Sequence, residues 1–398
     1  MTATDQNGAP ARLEGKFIAI VVCFILGLGQ LIPWNSITTI MDYYYQWNYV
    51  LTRKVTLFFW GYHPSRVHTL VYQPFALGTI TILALYEAKT DTRKRNLLGR
   101  VLYTVCTLML IILDLATSGK GGIGPYKGIC AMVACFGVGD GLVQGGMVGD
   151  LSFMDPHFLQ SYTAGLAASG ALTSGLRLIA KAAFENSSNG LRKRTMMFLT
   201  MATLFVLSCL LLYAFFFPRL PIIKYYHSKA ASEGSKTVCA DLAAAGGQTH
   251  TSPRRTKHQG TIFKSLRAED DEKHEERLSN KQLLLQNIDY ILGTLFVWDL
   301  ISRYIRLIPC LKLESRKGLM IAILSRFLLI PAFYFTAKYG AQGWIIMLVS
   351  VLALSHGYLT ICVLTIAPKG YKAREQNALG NFLSIFLIFG ISSGVVLD

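Results

Sequence analysis

Asp299 and Arg303 stand four residues apart in the run Leu295-Phe296-Val297-Trp298-Asp299-Leu300-Ile301-Ser302-Arg303-Tyr304, so both project from one face of a helix. An ionisable side chain in so apolar a segment is costly, and it faces a cavity or a partner far more often than lipid. A carboxylate there can accept hydrogen bonds from sugar hydroxyls while the guanidinium meets a base or closes a gate. A neutralising pair with no ligand is the alternative. Gln144, in Leu142-Val143-Gln144-Gly145-Gly146, is uncharged, carries both donor and acceptor, and has glycines that leave room beside it. Its carboxamide could read a nucleobase edge or simply bridge two helices.

A third candidate is the stretch Gly27-Leu28-Gly29-Gln30-Leu31-Ile32-Pro33-Trp34-Asn35, which closes an apolar run that begins at Phe17. It sets a proline, an indole and a carboxamide together at membrane depth. Backbone freed by Pro33 must be satisfied by neighbouring helices or water, and Asn35 needs a partner in hydrocarbon. Lining a cavity meets both needs; a helix end at the membrane interface is the plainer reading.

Long apolar helices must position these side chains. The chain has 398 residues, 52% hydrophobic and 16% charged, and a mean hydropathy of +0.39. That composition fits an all-α polytopic membrane protein and not a soluble enzyme. The net charge of +16 then reflects basic cytosolic loops, and nucleic acid is not the expected partner. Cys23, Cys106, Cys209 and Cys362 lie in apolar runs, and no Cys pair or Cys/His cluster has metal-ligand spacing. No metal, cofactor or catalytic residue is expected. The Gly-rich segments lie within spans and are not followed by Gly-Lys-Ser/Thr, so no phosphate-binding loop is indicated. The polar residues 1–15 precede a first apolar run long enough to span, which argues against a cleavable signal.

Segments of spanning length fall near 17–36, 66–86, 100–117, 128–148, 159–182, 195–217, 287–311, 318–337, 341–366 and 378–397, about ten spans in all. The expected organisation is a cytosolic N-terminus at 1–16, a first six-helix bundle at 17–218, a cytosolic and largely disordered loop at 219–286, and a shortened second bundle at 287–398. This is a two-bundle, major-facilitator-like layout. Arg12 and Lys16, Arg93-Lys94-Arg95, and Arg219, Lys224 and Lys229 all belong inside under that orientation. One loop disagrees: Arg192-Lys193-Arg194 falls outside, next to the sequon Asn186-Ser187-Ser188.

The string Gly27–Asn35 resembles the first-helix signature of the equilibrative nucleoside transporters. So do Val143-Gln144-Gly145-Gly146, Trp298–Arg303, Ser325-Arg326-Phe327-Leu328-Leu329-Ile330-Pro331, and Ser355-His356-Gly357-Tyr358-Leu359 leading to Ala367-Pro368-Lys369-Gly370. Tyr72-Gln73-Pro74-Phe75, Gly121–Tyr126 and Ala230–Lys236 are similar to the plant-type branch in particular. The resemblance implies an eleven-helix, major-facilitator-related fold with a central nucleoside site, so the expected ligands are nucleosides of the adenosine and uridine class. Trp34 would wall the base, with Leu31, Asn35 and Thr38 on the same helix face. Gln144 would read the base, and Asp299 with Arg303 would meet the ribose. Because plant members include proton-coupled carriers, the membrane acids Asp114 and Asp140 are coupling candidates and protons a possible second cargo. Asp114, near a helix end, could instead be merely solvated. A plasma-membrane location is expected, with an internal membrane such as the vacuole's as the alternative.

The chain also departs from that family. The loop ending at 286 and the loop from Lys312 to Lys317 are both basic and should share the cytosolic side, which requires an even number of crossings between them. Only about 25 residues are available, and one span uses roughly 20. The family has two helices here. The expected account is therefore an internal deletion of the seventh helix, with part of the eleventh missing too. Trp47 to Trp60, where the first outer loop should be, reads as unrelated filler. A chain so shortened could serve as a non-transporting isoform that associates with a full-length relative.

Overall fold

In the computed structural model, residues 15–39, 64–86, 91–117, 123–184, 190–244, 294–306, 308, 311, 313–339 and 342–397 are described. The Trp47–Trp60 stretch, the sequon, Arg12 and most of the long central loop lie outside them. Twelve α-helices follow in order among the described residues. The first six are α1 (Lys16–Thr39), α2 (Pro64–Leu85), α3 (Thr92–Thr117), α4 (Ile123–Ser152), α5 (Pro156–Phe184) and α6 (Gly190–Leu211). A π turn (Leu212–Phe216) and a 3-10 turn (Phe217–Arg219) then lead into α7 (Pro221–Ala244). After a short helix α8 over 294–305 come α9 (Arg316–Ser325), α10 (Leu329–Tyr339), α11 (Gln342–Ile366) and α12 (Ala373–Leu397).

Among the described residues, eight stretches are long and apolar enough to cross a membrane. Helix α5 is not among them, although residues 159–182 were expected to span. Gln160, Ser161, Thr163, Ser169 and Thr173 lower its hydropathy, and all five are buried. Its polar side chains face protein, which is where intramembrane polar groups are tolerated. Of the expected span at 287–311, residues 287–293 lie outside the described residues, and the described helix runs over 294–305 to a turn at Arg306. The expected span at 318–337 is broken into α9 and α10 by a 3-10 turn at Arg326–Leu328. Pro331 lacks an N–H and its ring crowds the carbonyl four residues back, so the break falls at that carbonyl. In the segment read as a disordered loop, residues 221–244 are helical, and Ile222 and Ile223 are buried against Phe217 and Leu220.

The first six helices share one core that runs through Leu26, Tyr162, Phe136, Phe158 and Phe198. Its tightest seam is between α1 and α5. A Cβ on Gly165 would collide with the Phe24 carbonyl and sit 2.8 Å from Leu28 N, and one on Gly27 would collide with the Tyr162 carbonyl. Only glycine allows the two backbones to meet so closely. Helix α12 packs across α2 and α4, and its Ile388 belongs to that same core. The four free cysteines expected to be buried, Cys23, Cys106, Cys209 and Cys362, are buried.

Candidate functional site

Helix α1 continues through Pro33 and so presents its polar side chains in two rows. Trp34 stacks on Tyr72 of α2, with ring centroids 4.2 Å apart and planes 28° from parallel. One turn earlier, Gln30 donates from Nε2 to Asp140 Oδ1 on α4 at 2.8 Å. Tyr103 of α3 donates to the same oxygen at 3.0 Å, and Tyr72 also hydrogen-bonds Asp140. The Tyr162 hydroxyl of α5 donates to Gln30 Oε1. Asp140 is thus a buried carboxylate held by neutral donors from α1, α2 and α3.

The second row of α1 faces α5. Asn35 Nδ2 donates to Ser169 Oγ at 2.8 Å, and Thr38 Oγ1 donates to the Asn35 carbonyl at 2.9 Å. Leu31 is half-buried on the same helix. Gln144 lies one turn beyond Asp140 on α4 and is nearly buried.

Asp299 and Arg303 sit on α8 as their spacing implies. Arg303 donates to Asp299 Oδ2 from Nη2 at 2.8 Å and from Nε at 3.2 Å. Its Nη1 donates to the Thr163 carbonyl of α5 at 2.7 Å, and Gln160 Nε2 donates to the Arg303 carbonyl at 2.8 Å. Asp299 Oδ1 is buried and has no hydrogen-bond partner. Helix α5 is therefore the common wall: Tyr162 reaches the Asp140 network while the Thr163 carbonyl, one residue on, holds Arg303.

Asp114 is not part of this assembly. It lies eleven residues beyond Tyr103, about 16 Å along α3. The expectation that it is merely solvated fails: its side chain is 3% exposed and receives Arg192 Nε at 3.1 Å. That ion pair neutralises one of the basic residues that sat on the wrong side of the orientation rule.

Four groups in the site escaped the sequence reading: Gln30, Tyr72, Tyr103 and Tyr162. Each carries a polar atom in an otherwise apolar run, which was the available signal. A separate polar cluster was also missed. Arg95 Nη2 donates to Asn381 Oδ1 of α12 at 3.2 Å, and Arg100 lies over the Tyr213 ring at 5.1 Å. Arg95, Asn96 and Arg100 are all buried, whereas Arg95 was read as a loop residue.

Outside the spans, Asp155 joins the start of α1 to the loop before α5. It pairs with Lys16 Nζ at 2.7 Å and with His157 Nδ1 at 2.5 Å. Burial alone would raise its carboxyl, but the hydrogen bonds from His157 and Lys16 outweigh that and hold it well below the usual carboxylate range.

The family model described as nucleoside transporter matches residues 130–298 and 290–398. The chain belongs to the nucleoside transporter family. Equilibrative nucleotide transporter 3 of Arabidopsis thaliana is 54% identical, over 99% of this chain and 96% of the relative. Equilibrative nucleotide transporter 6 of the same plant is 53% identical over the same shares. The plant-type branch is thereby supported. The first alignment runs to 428 positions, 30 more than the 398 residues of the chain, so at least 30 positions of that relative have no counterpart here. Among solved structures, a crystal structure of a D-xylose–proton symporter superposes with a TM-score of 0.53 at 11% identity, covering 94% of this chain and 89% of the other. That likeness concerns the fold alone and agrees with a major-facilitator-like helical membrane protein. The nucleoside transporters are carriers, not enzymes, and this is a multi-pass membrane member of them.

Proposed function

We propose that this chain moves nucleosides across the plasma membrane by alternating access, with Trp34 walling the base and Asp299 and Arg303 meeting the ribose. One observation carries the reading. Asp299 is a buried carboxylate with one oxygen committed to Arg303 and the other unpartnered, and an orphaned buried acceptor calls for a hydroxyl donor. Asn35, Thr38 and Leu31 sit beside Trp34 on α1, and Gln144 supplies a bidentate amide from α4. Asp140 is the coupling candidate that the geometry favours over Asp114. Its donors are neutral, so it can accept a proton without breaking an ion pair, whereas Asp114 is already committed to Arg192.

Uptake of labelled adenosine and uridine at two external pH values, in cells lacking their own nucleoside carriers, tests this. Adenosine monophosphate belongs beside them because the Arabidopsis relatives are named for nucleotides. Saturable uptake that Trp34→Ala and Asp299→Asn abolish at unchanged surface level is expected. Normal affinity in both variants would sink the site assignment. With proton coupling, Asp140→Asn loses the pH dependence of uptake and keeps exchange of nucleoside for nucleoside.

A second reading is favoured by the length of the relatives. At least 30 positions of the 54% identical relative have no counterpart here, and the family model matches in two pieces that meet at residues 290–298, as the loss of one helix there would leave. The chain would then be a non-transporting isoform that pairs with an intact relative. It would alter uptake only when that relative is co-expressed.

A further inference from the structure

Gly357 of α11 brings that helix onto α8. A Cβ there would collide with Ser302 Oγ and come within 2.6 Å of Asp299 Oδ1, the oxygen without a partner. The residue before it, His356, is therefore carried to the edge of the Asp299–Arg303 pair. Its side chain is exposed, yet it interacts electrostatically with Asp299 and Arg303 of α8 and with Arg326 of the 3-10 turn between α9 and α10. An ionisable side chain at membrane depth that is open on one side and ringed by charges faces a polar crevice, not lipid. We infer that His356 is a ligand-contacting residue of the nucleoside site, binding as the neutral imidazole and weakening the site when protonated.

This inference rests on the nucleoside reading above and adds a residue and a sign to it. A neutral imidazole offers one donor and one acceptor, suited to a hydroxyl or a base edge beside Asp299. Protonation turns the acceptor into a second donor and adds a positive charge. That charge is repelled by Arg303 and Arg326, and the one nearby group it can satisfy is Asp299, whose Oδ1 is unused. Once an imidazolium takes that oxygen, the acceptor awaiting the ribose hydroxyl is gone. The elements around His356 supply few other charges: α5 contributes Gln160 and the Thr163 carbonyl, which do not titrate, and buried Arg306, at the end of α8, acts on Tyr358 and Cys362, two and six residues further along α11. Histidine is the side chain whose charge changes in this range of pH.

The test is equilibrium binding of labelled adenosine to the purified full chain in lipid nanodiscs at pH 7.5 and pH 5.0. Wild type is expected to lose about tenfold in affinity on acidification, the size of one charge-assisted hydrogen bond. His356→Gln and His356→Asn, which keep a polar side chain but cannot gain a proton, should change by less than about twofold between the two pH values. His68→Gln, on α2 and away from this crevice, should behave as wild type. Affinity in wild type that does not move with pH, or a tenfold loss that persists in both His356 variants, overturns the inference. Absence of adenosine binding at either pH, in every form, overturns the nucleoside reading itself and this inference with it.

Discussion

Two regions of this molecule, α1 with its neighbours and α9 with α10, are both strongly apolar in sequence and very unequal in packing. Over half of the apolar window of α1 is buried, against 6% of the window from Arg316 to Thr336. In the first region, large side chains such as Phe136, Phe158 and Phe198 are almost wholly enclosed. In the second, Leu319, Leu359, Cys362 and Ile366 make a small separate cluster, while Met320, Ile321, Phe327 and Leu328 stand open. Apolar composition sends a segment into a membrane, but it does not supply partners. Partners come from the backbone approaching closely and from polar side chains finding one another across helices. The α1–α5 seam has both; α9 reaches out through Arg316 to the Lys369 carbonyl, and α8 is held to α5 through Arg303, Gln160 and Phe296 against Gly170.

The sharpest way to break this contrast is at glycine. Gly165→Val drives a branched side chain into the backbone of α1 and is expected to abolish recovery of monodisperse protein. Gly390→Val on α12, where nothing lies within 4 Å, should leave recovery unchanged. Equal yields from the two would mean that the seam is not what organises the first region. Next is Arg303→Ala, which strips the cation from buried Asp299. Losing one partner of a buried pair costs about 3–5 kcal/mol, and here it should release α8 from α5, seen as new protease sensitivity in the second region while the first stays resistant. Of similar or smaller size is Phe198→Ala, at about 3–5 kcal/mol, against Leu328→Ala at about 0.5 kcal/mol or less; melting in detergent would compare them, and matched losses would contradict the difference in packing.

The smallest effect concerns Asp155. Its carboxyl is held below the usual range by His157 and Lys16, so its contribution is present above the unfolded value near pH 4 and fades as pH falls below it. Lys16 is half exposed, so the pair is worth about 1 kcal/mol or less. Asp155→Asn should lower the melting temperature slightly at pH 7 and not at all at the acid end. An equal drop at both would remove the ion pair as its cause.

The structure agrees with the sequence where a short-range rule was enough. The four-residue spacing of Asp299 and Arg303 fixes their shared face, and the observed ion pair follows directly. Trp34 and Asn35, expected on one face of α1 with Leu31 and Thr38, instead serve two neighbours: Trp34 stacks on Tyr72 of α2 and Asn35 bonds Ser169 of α5. What was not legible depended on neighbours from afar. Gln30 and Asp140 are 110 residues apart, and neither announces the other. Asp114 reads as a helix-end residue until Arg192 arrives from α6. Arg95 reads as loop charge because basic residues usually mark the cytosolic side. Yet Arg95, Gly99, Tyr103, Cys106, Leu110 and Asp114 recur every three or four positions and are all buried, a buried face carrying Arg95, Tyr103 and Asp114 that periodicity could have exposed. Burial of α5 is the opposite case: its polar composition hides a helix that is central precisely because it is polar.

Asn381 meets Arg95 across 286 residues, and Ile388 closes a core begun at Ala19. A ribosome delivers those partners in order, so the first region waits through the synthesis of nearly everything else before α12 can complete it. For that interval the faces of α2 and α4 that will receive α12 stand open in the bilayer, visible to chaperones and proteases that survey unfinished membrane proteins. Survival of this polypeptide in a cell thus depends on whether α12 docks on helices made long before it.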